Sequence, residues 1–112
     1  MKKLTLDLRP EHLAIVKSIL QMHLPNCTVW AFGSRVNGNA KPTSDLDLAI
    51  DSPDGPLDLT IIGSVAEAFD ESMLPMKVDV VDYRQISPAF RTIIDKQRLL
   101  IDPHQTTQPV KQ

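Results

Sequence analysis

Residues 33–50 read GSRVNGNAKPTSDLDLAI: Gly33-Ser34-Arg35, then a polar stretch to Ser44, then Asp45-Leu46-Asp47-Leu48-Ala49-Ile50. The last six residues begin by alternating polar and apolar, the period-2 pattern of a strand with one buried face. That period puts Asp45 and Asp47 on one face, with Leu46, Leu48 and Ile50 on the other. Just upstream, Thr28-Val29-Trp30-Ala31-Phe32 is a run of β-formers that ends on Gly33-Ser34, where such a strand turns. Between the two strands, residues 35–44 carry Gly38, Pro42 and two asparagines. They read as a loop with a helical turn near Arg35–Gly38.

Outward from this centre the chain alternates helices and strands. Residues 1–9 form an approach segment. Pro10 suits the first turn of a helix, because its missing N–H has no partner to lose there. Leu13, Val16 and Leu20, with Ile15, Ile19 and Met22 beside them, recur at helical spacing until Pro25-Asn26 breaks the run. On the other side, residues 51–56 (DSPDGP) are a turn cluster. Leu59, Ile62, Val65, Ala66 and Phe69 then share a helical face within 57–69. Residues 77–82 (KVDVVD) form a third strand. Ser87-Pro88 is an N-cap followed by proline at the first helical position, and Phe90, Ile93, Ile94 and Gln97 step along that helix. Leu99-Leu100-Ile101 closes the core as a short strand. The expectation is a small α/β (α+β) domain over residues 1–102, a mixed sheet flanked by helices, with 103–112 a frayed tail.

Composition narrows the class of function. The chain has 112 residues, which is one domain by length. Its 12 basic and 14 acidic residues leave a net charge of -2, so no basic excess marks nucleic-acid or membrane binding. No apolar run approaches the ~18 residues of a membrane span, and no apolar stretch follows Lys2-Lys3 as in a signal peptide. One cysteine, Cys27, excludes an internal disulfide framework and a cysteine-based zinc site. The reading is a soluble, cytoplasmic, single-domain protein.

The chemistry lies in the carboxylates. Asp79 sits in its own strand, with Val78 and Val80 facing away from it. If that strand neighbours the Asp45–Ile50 strand, three carboxylates meet on one face. Such crowding is costly unless a cation neutralises it. Oxygen ligands without nearby histidine or cysteine point to Mg²⁺ or Mn²⁺. Gly33-Ser34 supplies the complementary half. Glycine admits close backbone approach, and exposed N–H groups with the Ser34 hydroxyl form a phosphate-binding concavity. Arg35 adds a fixed positive fork. Phosphate donors facing a metal-binding cluster suit a nucleoside triphosphate and in-line nucleotidyl transfer, with two metals ~4 Å apart.

Gly33-Ser34, ten residues, then Asp45-Leu46-Asp47 resembles the signature of the DNA polymerase β-like nucleotidyltransferase superfamily. The fuller pattern resembles its minimal nucleotidyltransferase branch: Gly33-Ser34-Arg35, Gly38 and Ser44-Asp45-Leu46-Asp47-Leu48, with Asp79 as the third carboxylate in a later hydrophobic strand. A chance match to the four fixed positions Gly, Ser, Asp and Asp occurs in about one chain in a thousand of this length. The resemblance spans residues 10–101. It implies that Asp45 and Asp47 hold both metals. It implies that Asp79 completes one metal site and is available as general base. It gives Gly33 and Ser34, with Arg35 beside them, to the nucleotide phosphates. It also implies a HEPN-domain toxin as partner, with AMP passed from ATP to a partner hydroxyl, so that this chain acts as antitoxin.

Plainer roles compete at each position. Asp79 can pair with Lys77 or Arg84, and Asp82, three residues on, should face the opposite way. Arg35 can be a solvated cation rather than a phosphate ligand. Ser44 serves the turn at the strand entry, and Lys41 is a solvated loop lysine. Cys27, Trp30 and Phe32 read as packing residues. His12, His23 and His104 have no metal spacing. Two other functions stay open: an antitoxin that neutralises by binding alone, and a nucleotidyltransferase for a small molecule.

Overall fold

The computed structural model describes residues 4–101. The expected tail, 103–112, and His104 within it lie outside the described residues. Eight elements follow in order: α1 (Pro10–His23), β1 (Thr28–Phe32), α2 (Ser34–Asn37), β2 (Leu46–Asp51), α3 (Leu59–Asp70), β3 (Val78–Asp82), α4 (Pro88–Lys96) and β4 (Leu99–Ile101). The strands form one mixed sheet in the order β3-β2-β1-β4. β1 is antiparallel to β2 and to β4, whereas β2 and β3 are parallel. A parallel pair needs a crossover, and α3 provides it.

Register assigns the two sheet faces. Val29 pairs with Ile50, Ala31 with Leu48, and Leu46 with Val78. These side chains are buried with Val16 and Leu20 of α1 and Val65 and Phe69 of α3, so the main core lies on that face. The opposite face carries the alternate residues: Trp30 beside Ala49, Phe32 beside Asp47, and Asp47 beside Asp79. Phe90 of α4 meets Phe32 there, edge to face with ring centroids 5.8 Å apart. The Arg98 guanidinium stacks over Trp30 at 4.0 Å. Trp30 and Phe32 are therefore half-buried on this second face and not in the main core.

Element ends follow local chemistry. Ser87 Oγ accepts from Phe90 N–H at 3.1 Å, the N-cap expected ahead of Pro88. The Asp58 side chain caps α3 by accepting from Thr60 N–H at 2.9 Å, so the helix starts at Leu59 and not at Leu57. Asp82 pairs with Ile50 in register and is buried on the core face, away from Asp79. It accepts from Leu57 N–H at 2.7 Å, Arg84 N–H at 3.0 Å and Gln85 Nε2 at 2.7 Å. Burial alone raises its carboxyl, but these hydrogen bonds outweigh it and hold the group below the usual range. The approach segment is more than a lead-in: Leu4, Leu6 and Leu8 pack against the core. Among the described residues no helix is long and apolar enough to cross a membrane.

Candidate active site

β1 ends at Phe32, opposite Asp47, so the chain turns at Gly33 directly beside that carboxylate. Gly33 has φ 82 and ψ -155, a conformation that glycine alone adopts readily. A Cβ placed there would collide with the Asp47 carboxylate. Ser34 opens α2, whose first N–H groups have no partner inside the helix. Gly38 closes α2 in the left-handed conformation, its N–H bonded to Ser34 O.

The carboxylates come from two neighbouring strands. Asp47 and Asp79 are register partners on the parallel β2–β3 pair and so share a face. Asp45 differs from its expected place: β2 begins at Leu46, leaving Asp45 exposed one residue ahead of the strand. The cause is local. Ser44 is folded into a turn by reciprocal bonds with Lys41, Ser44 N–H to Lys41 O at 2.9 Å and Lys41 N–H to Ser44 Oγ at 2.8 Å. Hydrogen bonding to the next strand starts only with Leu46 N–H to Lys77 O at 2.9 Å. Among the described residues no three acidic, histidine or cysteine side chains stand together as a ready-made metal cage.

Electrostatics single out Asp47. Burial, then the charges of Asp79 and Asp45, push its carboxyl up to about 6. Among the described residues Asp79 has only Lys77 as counter-ion, Nζ to Oδ1 at 3.5 Å on an exposed surface. Such a pair is worth at most ~1 kcal/mol and exchanges readily for another cation. Arg84, the other candidate partner of Asp79, instead bonds Asp51 at 2.8 Å.

The family described as Polymerase beta, Nucleotidyltransferase matches residues 15–106. This chain belongs to the polymerase beta nucleotidyltransferase family. It is 52% identical over 102 residues to the probable protein adenylyltransferase MntA of Haemophilus influenzae, covering 91% of this chain and 89% of that protein. It is similar to a solved toxin–antitoxin with AMP-PNP, at TM-score 0.68 and 24% identity over 83% of this chain and 72% of that one. It is also similar to the toxin–antitoxin MntA–HepT, at TM-score 0.56 and 21% identity over 82% and 70% of the two chains. At those identities the two structures show the fold.

Within this nucleotidyltransferase domain, Arg35 is not placed as expected. It is only 6% exposed, and its guanidinium donates to backbone carbonyls of the surrounding chain, not outward. Sequence reasoning missed this arrangement and the part that Asp7 plays in it. The available signal was an irregular loop containing proline, whose carbonyls need donors from somewhere. Lys41 is exposed, and Cys27 is half-buried with its thiol pushed up by burial.

The raised Asp47 carboxyl has a consequence for stability. A folded-state value of about 6 lies above the ordinary 3.8, so protonation favours the folded chain. Between those two values stability falls as pH rises. Thermal midpoints of the metal-free protein, measured from pH 4.5 to 7, should decline for wild type relative to Asp47→Asn, which does not titrate. Parallel curves would show that Asp47 has an ordinary carboxyl.

Proposed function

We infer that this chain is a divalent-metal-dependent protein adenylyltransferase that modifies a HEPN-domain toxin and acts as its antitoxin in the cytoplasm. The observation that carries the reading is the Asp47–Asp79 pair in register beside the Gly33 turn. It occurs in a chain 52% identical to a probable protein adenylyltransferase. The likeness in fold to toxin–antitoxin structures supports the choice of partner.

The residues fit a divalent cation. The donors are all oxygens, and burial, then the charges of Asp79 and Asp45, push the Asp47 carboxyl up, a cost that a cation would relieve. Asp45, Asp47 and Asp79 would hold Mg²⁺, in two sites, with Mn²⁺ as a substitute. When bound, the metal would supply charge neutralisation on the triphosphate and would lower the pKa of an acceptor hydroxyl. Gly33 and Ser34 bind ATP through its β- and γ-phosphates. The acceptor oxygen bonds to the α-phosphorus, the α–β bridge breaks, and pyrophosphate leaves with that electron pair. Asp79, on the exposed side of the pair, takes the hydroxyl proton.

The test combines this protein, the toxin partner, Mg²⁺ and ATP, and reads the partner's intact mass. A gain of one or more AMP units is expected. A stable, silenced complex without mass gain would replace this reading with neutralisation by binding. Modification of a small hydroxylated compound without any partner would replace it with a small-molecule nucleotidyltransferase.

A further inference from the structure

We propose that Arg35 is a positioning residue that templates the 39–44 loop and thereby sets the distance between the Gly33-Ser34 turn and the carboxylates. Its position next to Ser34 is the starting point. From there its side chain runs inward and is 6% exposed. No carboxylate among the described residues forms an ion pair with it. Its charge is met by carbonyl dipoles: Nε donates to Ser44 O at 3.1 Å and Nη1 to Asp7 O at 2.8 Å. Nη2 reaches Ser44 O at 2.9 Å, Pro42 O at 3.3 Å and Lys41 O at 3.5 Å. The backbone closes the same knot, with Asp7 N–H donating to Arg35 O at 2.7 Å.

Two separate segments, residue 7 and residues 41–44, thus meet on one planar group. The loop before β2 has no strand partner to satisfy its carbonyls, and Pro42 brings no N–H of its own. Ser44 N–H supplies Lys41 O at 2.9 Å within the loop, and the guanidinium supplies Pro42 O and Ser44 O. Ser44, gripped twice, immediately precedes Asp45 and lies three residues before Asp47. A shift of Ser44 therefore shifts Asp45 directly and Asp47 through the strand start. Lysine cannot substitute: a single ammonium on a flexible stem does not span the fork that guanidinium presents.

This inference rests on the proposed nucleotidyl transfer for its kinetic arm and on the structure alone for its exchange arm. Arg35→Lys and Arg35→Ala would be compared with wild type, in complex with the toxin partner, for kcat and KM toward ATP. Hydrogen exchange over residues 39–45 would be followed on the same samples. A positioning role predicts that kcat falls ~10–100-fold while KM for ATP moves little, since small misplacement of reacting groups costs that much. Exchange over 39–45 speeds up in both variants. Millimolar guanidinium, but not ammonium, restores protection and rate to Arg35→Ala by refilling the cage. A raised KM with unchanged kcat and undisturbed exchange would overturn the inference and make Arg35 a phosphate ligand. Full protection in Arg35→Lys would also overturn it. So would loss of cooperative unfolding in both variants, because Arg35 would then hold the whole fold and not the loop. If wild type transfers nothing, the functional reading fails, and exchange with guanidinium rescue still decides the role of Arg35.

Discussion

Replacing Asp45 and Asp47 by asparagine should lower AMP transfer at least ~10³-fold, the scale expected when the ligands proposed for the neutralising metal are lost. Asparagine keeps the shape and removes the charge, so β2 and the turn before it should not be disturbed. Asp47 lies on the second sheet face, outside the main core, and its ionised form is already disfavoured by burial and by Asp79 and Asp45. The variant should therefore be at least as heat-stable as wild type near pH 7 in the absence of metal. It should still bind the partner. Intact-mass assays on the variant complex, with thermal melts alongside, check both halves. Transfer within tenfold of wild type would remove these carboxylates from the chemistry.

Gly33→Ala should be the most damaging of the glycine-to-alanine substitutions in the described residues, because there alone an added Cβ meets a close neighbour. Alanine at φ 82 and ψ -155 is strained by about 1–3 kcal/mol in any setting. Here the added methyl also drives into the Asp47 carboxylate. A drop in melting temperature of ~10 °C follows for a domain of this size, together with loss of transfer because Asp47 must move. Gly38→Ala is the matched control. Its φ is 88, but nothing lies within 4 Å of a Cβ there, so strain of about 1 kcal/mol is the whole cost. That variant should keep most of its activity. If the two behave alike, the close approach of Gly33 to Asp47 has no functional weight.

Much of this was legible locally. The alternation Leu46-Asp47-Leu48 marks a strand with a carboxylate on its polar face, and Val78-Asp79-Val80 does the same for β3. Ser87-Pro88 announces α4 by cap chemistry, and Gly33 and Gly38 bracket α2 through conformations that other residues resist. Each signal is carried by two to six adjacent residues, so periodicity and capping suffice to read it. The start of β2 was misplaced by one residue because Asp45 alternates correctly, while its neighbour Ser44 is already committed to the Lys41 turn.

By itself, then, the sequence determined the element order, the polar face of each strand and the residue types available for phosphate and metal. These depend on local backbone preference and side-chain period. Only the tertiary structure decided that β2 and β3 are parallel neighbours in a register that sets Asp47 against Asp79, because pairing is chosen by how α3 crosses and buries Val65 and Phe69. It also decided the fate of Arg35. The guanidinium goes to carbonyls of residues 7, 41, 42 and 44, contacts that exist only once the 39–44 loop has folded over the Arg35 side chain.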